Sequence, residues 1–139
     1  MSDKSLLIRE PVAPRRAAWI AVVDDDASVR TALARLLRAE GIAVTTFATA
    51  QEFLTANDAD APSCVVLDVH LGAVTGFEVQ DRLASTHPDL PVIFITGHDE
   101  IPSAELTRRT GPDGFLRKPF DSDTFVSVVR RRARLDADP

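Results

Sequence analysis

Four short apolar runs in this chain each stop at a polar residue. Ile20-Ala21-Val22-Val23 runs into Asp24-Asp25-Asp26, and Cys64-Val65-Val66-Leu67 into Asp68. Val92-Ile93-Phe94-Ile95 runs into Thr96, and Phe115-Leu116 is followed, after Arg117, by Lys118-Pro119. Such runs are too short for helices and lack regular polar alternation, as expected of strands buried on both faces. Amphipathic segments separate them. That alternation predicts a parallel sheet with helices on both faces, joined by right-handed crossovers. The C-terminal strand ends then converge on one crevice, the edge at which open α/β sheets bind ligands.

The intervening segments carry helix signals. Val29, Leu33, Leu36 and Leu37 are spaced as one apolar helix face, with Asp26 or Ser28 to cap its start and Gly41 its end. Ile42–Phe47 reads as a further strand and Ala50–Ala56 as a short helix, followed by a loop over Asp58–Pro62. Gly76 precedes a helix bearing Phe77, Val79 and Leu83, closed near His87-Pro88. Ile101–Arg109 is a weaker helix, since Pro102 fits only its first turn, and Gly111-Pro112 ends it. Asp121 caps a last helix whose Phe125, Val128 and Val129 share a core-facing side. Five strands and five helices are expected, and the strand order stays open.

With 139 residues, 45% of them hydrophobic and 27% charged, the chain fits one globular domain that needs no staples. Residues 1–16 read as a mobile tail, 17–135 as the domain and 136–139 as a C-terminal tail. A net charge of −5 argues against direct nucleic-acid binding, whose affinity comes from basic surface. Arg15-Arg16 before Ala17–Val23 faintly resembles an export signal, but seven apolar residues ending in three aspartates are too few for one, or for a membrane span. A cytoplasmic protein without membrane association is expected. Cys64, alone in an apolar run, reads as a small buried hydrophobe.

The crevice would gather acids from two strand tips. Asp24, Asp25 and Asp68 would repel one another if ionised and close, which raises their pKa values, and a divalent cation removes the repulsion. Hard oxygen ligands completed by water suit Mg2+. Asp24–Asp26 could also be simply an N-cap run. That does not account for Asp68, whose next helix starts only near Gly76. A carboxylate such as Asp68 can act as a nucleophile toward phosphorus when cations hold the phosphoryl group. Thr96 offers a hydroxyl and Lys118 a point charge, although singly each could be an ordinary turn or solvated residue.

Asp24-Asp25, Val66-Leu67-Asp68, Ile95-Thr96-Gly97 and Lys118-Pro119-Phe120 together resemble the signature of the receiver domain of two-component response regulators. Asp68 lies 44 residues after Asp24, Thr96 28 after Asp68, and Lys118 22 after Thr96. The likeness covers about Ala18 to Arg134. Gly97-His98-Asp99-Glu100-Ile101-Pro102 and Phe115-Leu116-Arg117-Lys118-Pro119-Phe120 further resemble the nitrogen-fixation regulator group of receivers.

The resemblance implies a flavodoxin-like (βα)5 fold of strand order 2-1-3-4-5. It implies a phosphoryl group passed to Asp68 from the phosphohistidine of a histidine kinase or histidine phosphotransfer protein. It assigns Mg2+ to Asp25, Asp24, Asp68 and the backbone carbonyl of His70, and the phosphoryl oxygens to Thr96 and Lys118. Phe115 takes the aromatic switch position beside Thr96, and Lys118-Pro119 the cis peptide. The face of the fourth helix, fifth strand and fifth helix would meet a downstream protein or a second copy.

Three stretches depart from that pattern. Leu71-Gly72-Ala73-Val74-Thr75-Gly76 lacks the usual proline, suggesting a looser loop. His70 and His98, two residues after Asp68 and Thr96, are either exposed loop residues or bulk that slows attack by water on an acyl phosphate. Arg108-Arg109-Thr110-Gly111-Pro112-Asp113 replaces a usually small, apolar helix end. Arg130-Arg131-Arg132 and Arg134 suit a helix C-terminus.

A stand-alone switch is expected, signalling through protein contacts or acting as a phosphate sink rather than as an enzyme. A degenerate receiver that only binds protein, or the receiver cut from a DNA-binding transcription regulator, are the alternatives. An aspartyl-phosphate phosphatase would need a second acid where His70 stands.

Overall fold

The structure, a computed structural model, describes residues 18–56, 60–97 and 101–135. The expected tails over 1–16 and 136–139 and the candidate residue His98 lie outside them. The elements are β1 Trp19–Val23, α1 Ala27–Ala39, β2 Ala43–Phe47, α2 Ala50–Leu54, β3 Cys64–Asp68, β4 His70–Leu71 and β5 Val74–Thr75. They continue with α3 Gly76–Thr86, β6 Val92–Thr96, α4 Ser103–Thr110, β7 Phe115–Arg117 and α5 Ser122–Arg132.

Five strands form one parallel sheet in the order β2-β1-β3-β6-β7. This is the flavodoxin-like 2-1-3-4-5 arrangement. Its central strands are apolar up to the polar residues at their C-terminal tips, because both faces are covered. On one face Leu33, Ala34, Leu37, Phe125, Val128 and Val129 bring α1 and α5 onto Ile20, Val22, Val66, Ile93 and Ile95. On the other, Phe53, Val79, Leu83 and Leu106 bring α2, α3 and α4 onto Ala21, Val23, Val65, Leu67 and Phe94.

Helix starts follow side-chain chemistry. Asp26 caps α1 by accepting from the Ser28 and Val29 amides, and Asp121 caps α5 by accepting from Thr124 N–H. Gly41, at φ 77°, turns the chain after α1. Thr75 and Glu78 cap α3 reciprocally, each side chain taking the other residue's amide, so α3 begins at Gly76 itself. α4 starts at Ser103, later than the apolar pattern suggested, because Pro102 sits at its N-cap. That cap makes no side-chain bond.

The segment after Asp68 differs from expectation. His70–Leu71 and Val74–Thr75 pair as a small antiparallel hairpin around Gly72, at φ 74°, with Leu71 buried. The missing proline thus leaves a hydrogen-bonded ribbon rather than a loose loop.

Candidate functional site

Strand register builds the site. Val23 pairs with Leu67, so Asp24 and Asp68 emerge side by side from β1 and β3. Asp68 pairs with Ile95, placing Thr96 one residue beyond on β6. Thr96 in turn pairs with Arg117, and the Lys118 amide donates to the Thr96 carbonyl at 2.9 Å. The Lys118-Pro119 peptide is cis.

The three acids meet. One carboxylate oxygen from each of Asp24, Asp25 and Asp68 lies within 4.8 Å of the others. Asp24 is buried, Asp25 exposed and Asp68 half-buried. Asp24 Oδ1 accepts from the Asp26 amide at 2.9 Å, while Oδ2 is buried without a hydrogen-bond partner. Asp68 Oδ1 accepts from the His70 amide at 3.0 Å. Arg30 anchors the same corner by donating to the Asp24 carbonyl at 2.7 Å.

Burial raises the Asp24 carboxyl to about 6, helped by the charges of Asp68 and Asp25 and opposed by the Asp26 amide and the Lys118 ammonium. Asp68 is also raised, by burial first and then by Asp25, against the His70 amide and Lys118. The field of Lys118 therefore reaches both acids.

A pocket that raises the carboxyls of Asp24 and Asp68 and leaves one buried oxygen unpaired is built for something positive. An oxygen-only donor set beside exposed Asp25 fits Mg2+, with water completing its shell. This acidic cluster is typical of the magnesium pocket of receiver domains.

The remaining candidates take distinct places. Thr96 is fully buried at the tip of β6. Phe115 pairs with Phe94 in the sheet and is half-buried against the core face of α2, α3 and α4. His70 is exposed at the start of the hairpin. Cys64 is fully buried, with its thiol pushed up to about 12, as an inert core residue would be. Among the described residues no helix is long and apolar enough to cross a membrane.

Sequence reasoning missed Arg117. Its guanidinium donates to the Ile101 carbonyl and, at 3.1 Å, to Ser103 Oγ, tying β7 to the start of α4. The same group lies 5.9 Å from the Phe115 ring centroid. The available signal was an arginine wedged between the aromatic position and Lys118.

Comparison with known proteins agrees with this geometry. The response regulator receiver domain family matches residues 20–130. Nodulation protein W of Bradyrhizobium diazoefficiens is 39% identical over 112 residues, 81% of this chain and 49% of that protein. Transcriptional regulatory protein FixJ of the same organism is 36% identical over 120 residues, 86% of this chain and 58% of that protein. The chain thus spans about half the length of these curated relatives. A response regulator receiver protein from Burkholderia phymatum, known as a crystal structure, is 42% identical with a TM-score of 0.73. That match covers 85% of this chain and 96% of the other. Receivers of this kind are bacterial signalling switches with autophosphatase activity, paired in two-component systems with histidine kinases or phosphotransfer proteins. The chain belongs to the response regulator receiver domain family, related to its nitrogen-regulation-associated members.

Proposed function

We propose that Asp68 is the phosphoacceptor of this switch. An Asp68 carboxylate oxygen attacks the phosphorus of a partner's phosphohistidine, the P–N bond breaks, and the imidazole leaves as the phosphoryl group becomes an aspartyl phosphate. The observation that carries this reading is the meeting of one carboxylate oxygen each from Asp24, Asp25 and Asp68 within 4.8 Å, with Asp24 Oδ2 buried and unpaired, in the field of Lys118. Asp24, Asp25, Asp68 and the His70 carbonyl would hold Mg2+, which supplies positive charge to the phosphoryl oxygens when bound. Thr96 supplies a hydroxyl and Lys118 an ammonium to the other oxygens.

Phosphorylation adds about −1.5 to −2 charges at Asp68. Thr96 and Lys118 are drawn toward the new oxygens, and the half-buried Phe115 ring follows inward. The face of α4, β7 and α5 then changes its fit for a protein partner or a second copy. His70, with His98, limits access of water to the acyl phosphate and lengthens its life. Replacing both with Ala should speed phosphoryl loss; unchanged or slower loss removes that role.

Incubation with acetyl phosphate and Mg2+ tests the acceptor. The expected product is an acid-stable, base-labile adduct that Asp68→Asn cannot form. No adduct on the folded protein, or an equal adduct on the variant, overturns the assignment. Asp25→Ala should lose Mg2+ binding and phosphorylation while keeping the fold; phosphorylation at the normal rate would show the ligand assignment to be wrong.

A further inference from the structure

The basic end of α4 finds its use in the packing. Arg109 Nη1 donates to Gln80 Oε1 at 3.0 Å and to Asp81 Oδ1 at 3.2 Å, both on α3. Its Nε donates to Glu105 Oε2 one turn back at 3.3 Å. Gln80 returns the bond, donating its amide to the Arg109 carbonyl at 3.0 Å. The guanidinium also lies over the Phe77 ring, 4.4 Å from its centroid, and Phe77 meets Phe94 of the central sheet edge-on at 5.0 Å.

The side chain is 23% exposed, so this fork is partly shielded from water and stronger than an open surface pair. Arg117 ties the start of α4, and little else among the described residues holds its C-terminal half. Leu106 is its one buried residue, and Pro102 gives it no side-chain cap.

We propose that Arg109 is a positioning residue: it pins the C-terminal half of α4 to α3, and phosphorylation at Asp68 must work against this pin to change the output face. The second half of that statement rests on Asp68 being the phosphoacceptor; the first does not. Asp81 is 67% exposed and adds little, whereas Gln80, Glu105 and Phe77 supply the geometry. Lysine could keep the charge over Phe77 but not the fork. The pin is specific to arginine.

Amide hydrogen exchange over Ser103–Thr110, read beside α1 in the same molecules, tests the pin without phosphorylation. Arg109→Ala should speed exchange in α4 by about tenfold, the loss expected for a partly shielded charge-assisted hydrogen bond, and leave α1 unchanged. Arg109→Lys should fall between. Adding Gln80→Ala to Arg109→Ala should cost less than the sum of the two single effects. Unchanged exchange in α4, an equal rise in α1, or strict additivity overturns the pin.

The coupling is then read on protein treated with acetyl phosphate and Mg2+. Where the adduct is confirmed, α4 exchange should rise in the wild type and rise less in Arg109→Ala. Equal increments in the two proteins refute the coupling. A wild type that takes no phosphoryl group defeats the acceptor assignment while leaving the exchange result on the pin standing.

Discussion

α1 and α4 cover opposite faces of one sheet and are held there by different forces. α1 buries Leu33, Ala34 and Leu37, carries a side-chain cap on Asp26, and meets α5 through Arg130 and Glu40 at 2.9 Å. α4 buries Leu106 alone and is otherwise tied by guanidinium groups: Arg117 at its start, Arg109 at its end. Apolar burial is non-directional and scales with area, so no small displacement escapes it. Hydrogen-bonded ties are few and directional, and each is modest net of water. A helix held by such ties can be moved by a change of charge nearby. One held like α1 cannot.

The largest test attacks the apolar anchors. Leu37→Ala should cost about 3 kcal/mol in urea unfolding and lower protection across the whole domain. Leu106→Ala should instead open α4 first, with exchange over Ser103–Thr110 rising well ahead of α1. A uniform rise in both would mean that α4 shares the anchorage of α1, and the contrast would fall.

The acidic crevice at the tips of β1 and β3 gives the next effect. Folded Asp24 keeps its proton up to about pH 6, whereas an unperturbed aspartate loses it near 3.8. Between those values the folded state binds more protons, so stability is present at the acid side and is lost as pH rises through the window. Without divalent cation the melting temperature should fall by several degrees across that range, and Asp24→Asn should flatten the fall. Added Mg2+ should raise the melting temperature above the window and not below it. A curve that is flat in the native protein would remove the burial and charge crowding on which the site is built.

Smaller effects belong to the ends of α1. Asp26→Ala removes the cap and should cost about 1 kcal/mol of global stability. Arg130→Ala breaks a half-exposed pair and should cost less than about 0.5 kcal/mol, seen only as faster exchange in the last turn of α1. A loss from Arg130→Ala larger than that from Asp26→Ala would show that α1 too depends on a guanidinium tie.

The sheet and the site were legible because both are written in runs. Ile20–Val23, Cys64–Leu67 and Val92–Ile95 declare buried strands, and the polar residues that stop them fall on one edge once the strands are parallel. The hairpin at His70–Leu71 and Val74–Thr75 was not legible, since two-residue strands show no periodicity. The start of α3 could have been read, because Thr75-Gly76-Phe77-Glu78 spells a capping box. The ties of Arg109 and Arg117 were hidden for a different reason. Their partners on other elements lie 28 to 29 and 14 to 16 residues away, and only the fold says which polar group a long side chain will reach.

Gly76 opens α3 directly behind β3. A methyl group built there would sit 2.6 Å from the Asp68 carbonyl oxygen and 3.2 Å from the Phe94 ring. The first turn of α3 is thereby seated against the peptide that carries Asp68, with no room for slack between them. Bulk at position 76 would wedge the two apart, and the crevice would lose its shape through its back wall while every charged group in front stayed intact.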